Sequence, residues 1–209
     1  MKQLNYSLLC EDVAQKTFIE GILPSFLNNQ SLSFDLNFNQ DFFYRFKCRN
    51  SKDVLNKYVN AGIVAVRDFS IGLLLIGVDY DDRDRRKFNN EIEILYNEFV
   101  PQVREHSVIF FPVQAIEHWL LLIHFKINNP NSTKNISNEI EKLQRKSAKA
   151  RLFGASRPSK IEQKKKITEI VGQVDINWLT ERSQSFRRFN SDLNKFFTKI
   201  NYNNDQRNY

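Results

Sequence analysis

The stretch Gly72-Leu73-Leu74-Leu75-Ile76-Gly77-Val78-Asp79-Tyr80-Asp81-Asp82-Arg83-Asp84 constrains this chain more than any other: an apolar run that stops abruptly in acids. Apolar residues without alternation predict a strand covered on both faces, as in a parallel sheet flanked by helices. Open sheets of that kind place their ligands beyond the carboxyl ends of the strands, where these acids emerge. Asp79 and Asp81 are two apart, so in extended backbone both side chains leave the same face. Two carboxylates held that close repel each other unless one keeps its proton or a cation sits between them. Hard divalent cations take such oxygen ligands. The plain alternative is a solvated charged turn, because Arg83, Arg85, Arg86 and Lys87 follow at once.

The flanking segments support an alternating architecture. Asn5 to Cys10 reads as a first strand, and Asp12 is placed to cap a helix carrying Ile19, Ile22, Leu23, Phe26 and Leu27 at helical spacing. Pro24 predicts a kink or an early stop in that helix. Leu32, Phe34, Leu36 and Phe38 alternate with polar residues, the pattern of a half-buried or edge strand. Phe42 to Phe46 either continues that strand or forms a second extended piece. Ser51 reads as the N-cap of a helix with Val54, Leu55, Tyr58 and Val59. Ile63 to Val66 is either the end of that helix or a separate strand. Phe88, Ile92, Leu95, Tyr96 and Phe99 define a further amphipathic helix stopped by Pro101. Ser107 to Val113 is a strand that Pro112 ends, and Ala115 to Ile123 is helical. Helical spacing returns at Ile167, Ile170, Val171 and Val174, and again from Phe186 to Phe197. Strands alternating with helices give an α/β fold with a mostly parallel sheet and right-handed crossovers.

Composition narrows the function classes. At 41% apolar and 26% charged the 209-residue chain is a globular protein, with no apolar run long enough for a membrane span. Two cysteines, Cys10 and Cys48, make no disulfide framework, and the expected compartment is cytoplasmic. The formal net charge of +7 favours a polyanionic partner. Much of it is concentrated between Lys126 and Lys166, where Lys134, Lys142, Arg145, Lys146, Lys149, Arg151, Arg157, Lys160, Lys164, Lys165 and Lys166 face only Glu139, Glu141 and Glu162. The chain therefore divides into an α/β core over residues 1–125 and a basic, partly helical extension over 126–209 that packs on it. The segment from about Asn128 to Lys166 reads as loosely packed.

A strand ending in glutamate (Leu8-Leu9-Cys10-Glu11) followed by a later one ending in Asp79-Tyr80-Asp81 resembles the TOPRIM domain of topoisomerases, primases and OLD-type nucleases. Three further segments resemble small stand-alone TOPRIM proteins of bacterial defence loci. They are Gln15 four residues after Glu11, Ile116-Glu117-His118-Trp119-Leu120-Leu121, and Ser183-Gln184-Ser185-Phe186-Arg187-Arg188-Phe189. Two positions depart from the pattern. His124 stands where related segments often carry an acid, and Phe46-Lys47-Cys48-Arg49-Asn50 replaces a glycine-rich segment.

The resemblance implies a TOPRIM-like fold and a metal-dependent nuclease of anti-phage defence, acting on DNA or RNA with an ATPase or another defence subunit. Mg²⁺ or Mn²⁺ would be held by Asp79 and Asp81, with Glu11 as ligand or general base and Glu117 as a further ligand. Nucleic acid would meet Lys47, Arg49, Lys164, Lys165, Lys166 and Arg187. Each assignment has a structural counterpart. Glu11 and Glu117 suit the first turn of a helix, and the lysines suit a solvated face. His118 reads as an interfacial histidine, and Ser183 or Ser185 as a helix cap. The alternative function is a non-catalytic subunit that binds nucleic acid or a partner within an ATPase-containing complex. A homo-oligomer is compatible with either.

Overall fold

The computed structural model describes residues 2–80, 85–154 and 158–205; Asp81, Asp82, Arg83 and Asp84 lie outside them. Four strands, β1 (Lys2–Leu9), β2 (Phe34–Phe38), β3 (Leu73–Gly77) and β4 (Ser107–Phe110), form one all-parallel sheet in the order β2-β1-β3-β4. Along the chain they alternate with helices: α1 (Val13–Asn29), α2 (Gln40–Arg45), α3 (Ser51–Phe69), α4 (Arg85–Asn97), α5 (Pro101–Arg104) and α6 (Ile116–Asn128). The C-terminal part adds α7 (Ser137–Glu141), α8 (Arg145–Phe153), α9 (Lys160–Val171), α10 (Ile176–Arg182) and α11 (Gln184–Asp205). This is the α/β architecture that the apolar run predicts.

Strand alternation divides the interior into two cores. Leu8, Leu73, Leu75, Val108 and Phe110 face one side, against α1, α6, α9, α10 and α11. Leu9, Leu74, Ile76 and Ile109 face the other, against α3, α4 and α5. All five residues of β3 are buried, which is why that strand shows no polar alternation. Burying each large aliphatic side chain contributes about 1.5–3 kcal/mol, so β3 strongly determines its own register.

Four local expectations change. Helix α1 runs through Pro24 without stopping, because Pro24 lies on the solvent side, where water can satisfy the carbonyl left without an N–H. Phe42 to Phe46 is largely helical: Asn39 accepts a hydrogen bond from Phe42 N at 2.9 Å and starts α2. Asn50, not Ser51, caps α3, accepting from Asp53 N at 2.9 Å, and Ile63 to Val66 belongs to that helix. The basic segment is not loosely packed throughout, since Ile136, Ile140, Ala148 and Leu152 are buried in the first core. No described helix is long and apolar enough to cross a membrane.

Candidate functional site

The strand order reverses direction between β1 and β3: the chain steps from β1 outward to β2, then returns to place β3 on the opposite side of β1. Crevices at such switch points are where open α/β sheets bind ligands. Glu11 follows β1 and Asp79 follows β3, so both predicted acids arrive at this crevice. Asp79 is held by ladder bonds on either side of it, Val78 N to Phe110 O at 3.2 Å and Tyr80 N to Pro112 O at 2.9 Å. Val78 and Tyr80 therefore face the second core, and Asp79 points toward the first. A left-handed residue, Gln114 (φ 66°), turns the chain after β4 so that α6 begins here with Glu117 in its first turn.

Gln15 organises the pair. Its Nε2 donates to Oδ1 of Asp79 at 2.9 Å, and its Oε1 accepts from Glu11 N at 3.1 Å. It reaches them over Gly77: a Cβ there would lie 2.7 Å from Gln15 Oε1 and 2.2 Å from the Phe110 ring. Only glycine leaves that space. Ser51 Oγ, at the start of α3, donates to Glu11 Oε2 at 3.2 Å. The N-termini of α1, α3 and α6 thus all approach the acids, and their dipoles favour negative charge.

Two cations come from α8, four residues apart and so on one helix face. Arg145 pairs with Glu11, lies 3.1 Å from Oδ2 of Asp79 and lies 3.9 Å from Asp12. Lys149 lies 3.4 Å from Glu117 and 4.0 Å from Asp12. Neither residue stands out in the sequence as part of an acid site. Their i,i+4 spacing was legible, but nothing local ties it to Glu11 or Glu117.

Burial sets the protonation states. It pushes the Asp79 carboxyl up to about 9, reinforced by the hydrogen bond and charge of Glu11 and opposed by Arg145. Burial also opposes ionisation of Glu11. There, however, hydrogen bonding to Asp79 together with Arg145 and Ser51 wins, and the carboxyl is held below its usual range. Within the pair, Asp79 is therefore the acid that favours keeping a proton and Glu11 the one that favours ionisation. Oδ2 of Asp79 is buried without a hydrogen bond, although Arg145 lies beside it. Burial likewise raises Glu117, against the charge of Lys149, and Glu117 Oε2 is also buried without a partner.

These donors suit a hard divalent cation in kind: all are carboxylate oxygens, and two of them are buried without a hydrogen bond, one of these, Asp79 Oδ2, lying beside Arg145. Among the described residues, however, no three of His, Cys, Asp and Glu stand in an arrangement that would hold a metal ion. Asp81, the second half of the predicted aspartate pair, is outside the described residues.

A cleft of about 1000 Å³ opens beside Glu11 and Glu117, lined by Phe43, Tyr44 and Lys47 and by residues of α8 and the start of α9. Cys10 and Cys48 border it as free, buried thiols whose burial raises their pKa, so neither is primed as a nucleophile.

Of the predicted nucleic-acid contacts, Lys47 lines this cleft and Arg49 is exposed nearby in sequence, its backbone N–H donating to Asp53. Lys164 and Lys165 are exposed and Lys166 half-buried on α9, and none of the three lines the cleft. Arg187 borders a separate groove with Thr180 and Asn190, and donates to the carbonyls of Thr180 (3.0 Å) and Glu181 (2.8 Å). It closes the end of α10. His118 is buried, its ring nitrogens against Ala115 O and Leu143 O. Ser183 caps α11 through Phe186 N, and Ser185 accepts from Trp119 Nε1 at 2.8 Å.

Fold and site together define a class: a parallel α/β protein with a buried acid cluster at its switch point, paired with cations of a basic helix. No protein-family model, curated protein or solved structure matches the chain.

Proposed function

We propose that this protein is a TOPRIM-like, Mg²⁺- or Mn²⁺-dependent nuclease that cleaves phosphodiester bonds, acting in the cytoplasm as an effector of anti-phage defence. The observation that carries the reading is the convergence of Glu11, Asp79 and Glu117 at the carboxyl edge of the sheet, from three separate elements. Acids this close and this buried destabilise a fold unless they meet a cation, so their assembly at a ligand-binding edge favours a functional role.

Asp79 and Glu11 would hold the divalent ion, with Asp81 and Glu117 completing the oxygen set. A bound ion of this kind polarises a phosphoryl oxygen and lowers the pKa of coordinated water. The chain's own residues do the rest. Gln15 orients the Asp79 carboxyl, Ser51 and Arg145 keep Glu11 ionised and able to accept a proton, and the positive charge of Arg145 and Lys149 attracts a phosphate to the acid edge.

One observation favours the second reading, a binding subunit without turnover. Arg145 and Lys149 already supply cations to the acids, so the cluster can be neutral in charge without a metal. Incubation with plasmid DNA and with total tRNA, in Mg²⁺, Mn²⁺ or chelator, separates the two. Cleavage of either substrate only with metal supports the nuclease; binding without cleavage under every condition supports the subunit.

A further inference from the structure

The cleft beside the acids has a composition that the cleavage chemistry does not require. Tyr44 on α2 is 67% exposed, and its described ring neighbour is Phe43, with centroids 5.8 Å apart. Phe153 at the end of α8, half-buried where it packs against the first core, lines the same cleft. Lys47, Lys146 and Lys160 stand exposed around the same opening, and none has an ion-pair partner among the described residues. Glu11 and Glu117 border it at the inner end.

Aromatic rings beside exposed lysines form a surface for alternating flat bases and phosphates. A base can lie on a protein ring only when its own face is free. In a duplex both faces are covered by neighbouring base pairs, whereas in a single strand they can be uncovered at modest cost. The lysines then follow the backbone without reading sequence. A solvated face would account for the lysines alone, but not for an exposed tyrosine and a second aromatic lining the same cleft as the acids.

We propose that this cleft binds an unpaired nucleic-acid strand, with bases on Tyr44 and Phe153 and phosphates on Lys47, Lys146 and Lys160. Resting on the nuclease reading, this makes single-stranded segments, rather than intact duplex, the substrate class.

The test is fluorescence polarisation with the full chain in chelator, where binding is measured without turnover. Three labelled probes of about 12 nucleotides, within the site size of single-strand grooves, are an oligothymidylate, an oligouridylate and a blunt oligodeoxyadenylate–oligothymidylate duplex. At least one single strand should bind about tenfold or more tighter than the duplex, and the two single-strand arms show whether DNA or RNA is preferred. Tyr44→Ala should weaken single-strand binding about 5- to 150-fold, the range for loss of one stacked base, while Tyr44→Phe should stay close to wild type. Lys47→Gln and Lys160→Gln should each lower the salt slope by about 0.7.

Tighter or equal binding of the duplex, no binding of any probe, or unchanged affinity in Tyr44→Ala would each overturn the proposal. Because no metal is present, a protein that binds single strands here but never cleaves them would defeat the nuclease reading and leave this inference standing.

Discussion

Arg145 on α8 places a guanidinium nitrogen 3.1 Å from Oδ2 of Asp79 while also pairing with Glu11. One side chain from the basic C-terminal part thus supplies charge to both acids of the switch point. Its own pKa is raised: burial works against the charge, but the charges of Asp79 and Glu11 outweigh it. A divalent ion arriving at the same carboxylates would compete with this contact. Arg145→Gln should therefore lower stability in chelator and enlarge the stabilisation by Mn²⁺. A wild-type protein that binds the ion would gain about 2.7 kcal/mol when free metal is 100 times its Kd. Thermal melts across a metal series at fixed ionic strength check this, and an equal metal response in both proteins would remove Arg145 from the site.

Asp79 makes stability depend on pH in a definite direction. Its folded pKa, about 9, lies above its unfolded value, so its contribution is complete below about pH 4 and is lost as pH rises through 9. Glu11 is shifted the other way and contributes a constant amount across that window. Wild type should lose stability between pH 5 and 9 with a slope of up to about 1.4 kcal/mol per pH unit from this residue. Asp79→Asn, which mimics the protonated form, should be more stable than wild type at pH 8 and should lack that slope. Urea melts at several pH values measure it, and parallel curves for the two proteins would contradict the raised pKa of Asp79.

Loss of the same carboxylates should abolish cleavage without unfolding the chain. Glu11→Gln, Asp79→Asn and Asp81→Asn are each expected to reduce nuclease rates by at least about 100-fold, the scale of a lost proton-transfer or charge-stabilising group. Far-ultraviolet circular dichroism should remain that of wild type. Full activity in Asp79→Asn would exclude the proposed role.

Gly77→Ala tests whether Gln15 is the organiser. The new Cβ would meet Phe110 at 2.2 Å and Gln15 at 2.7 Å, so one or both must move. Overpacking of this kind costs about 1–3 kcal/mol. Activity should fall further than stability explains, since Asp79 loses its orienting donor. A Gln15→Leu protein should reproduce the loss of activity without the steric cost, and full activity in that variant would relegate Gln15 to packing.

Arg187 serves as a contrast. Its guanidinium closes the C-terminal end of α10 through two carbonyls, so Arg187→Ala should cost about 1 kcal/mol in a denaturant melt. Nucleic-acid affinity and its salt dependence should not change. A reduced salt slope in that variant would support the sequence-based assignment.

The sequence by itself determined the sheet and the acids it carries. A two-sided apolar strand can be stable only between helices, and the chain's alternation supplies them, so β3 and the placement of Asp79 at its end follow from local pattern. Glu11 follows from the buried second half of β1, which ends in Leu8 and Leu9. Caps were legible to within a residue, as Asp12 and Asn50 illustrate. Helix α2 was not, because Phe42 to Phe46 lacks a decisive period and its start depends on Asn39 closing a turn. Tertiary structure alone decided how charge is balanced. Arg145 and Lys149 belong to a segment whose composition reads as a solvated basic face, yet Ala148 and Leu152 anchor that helix in the core and turn its two cations onto the acids. Ion pairing between residues so distant in sequence has no local signature, since it depends on which helix faces the burial of apolar residues leaves pointing at the switch point.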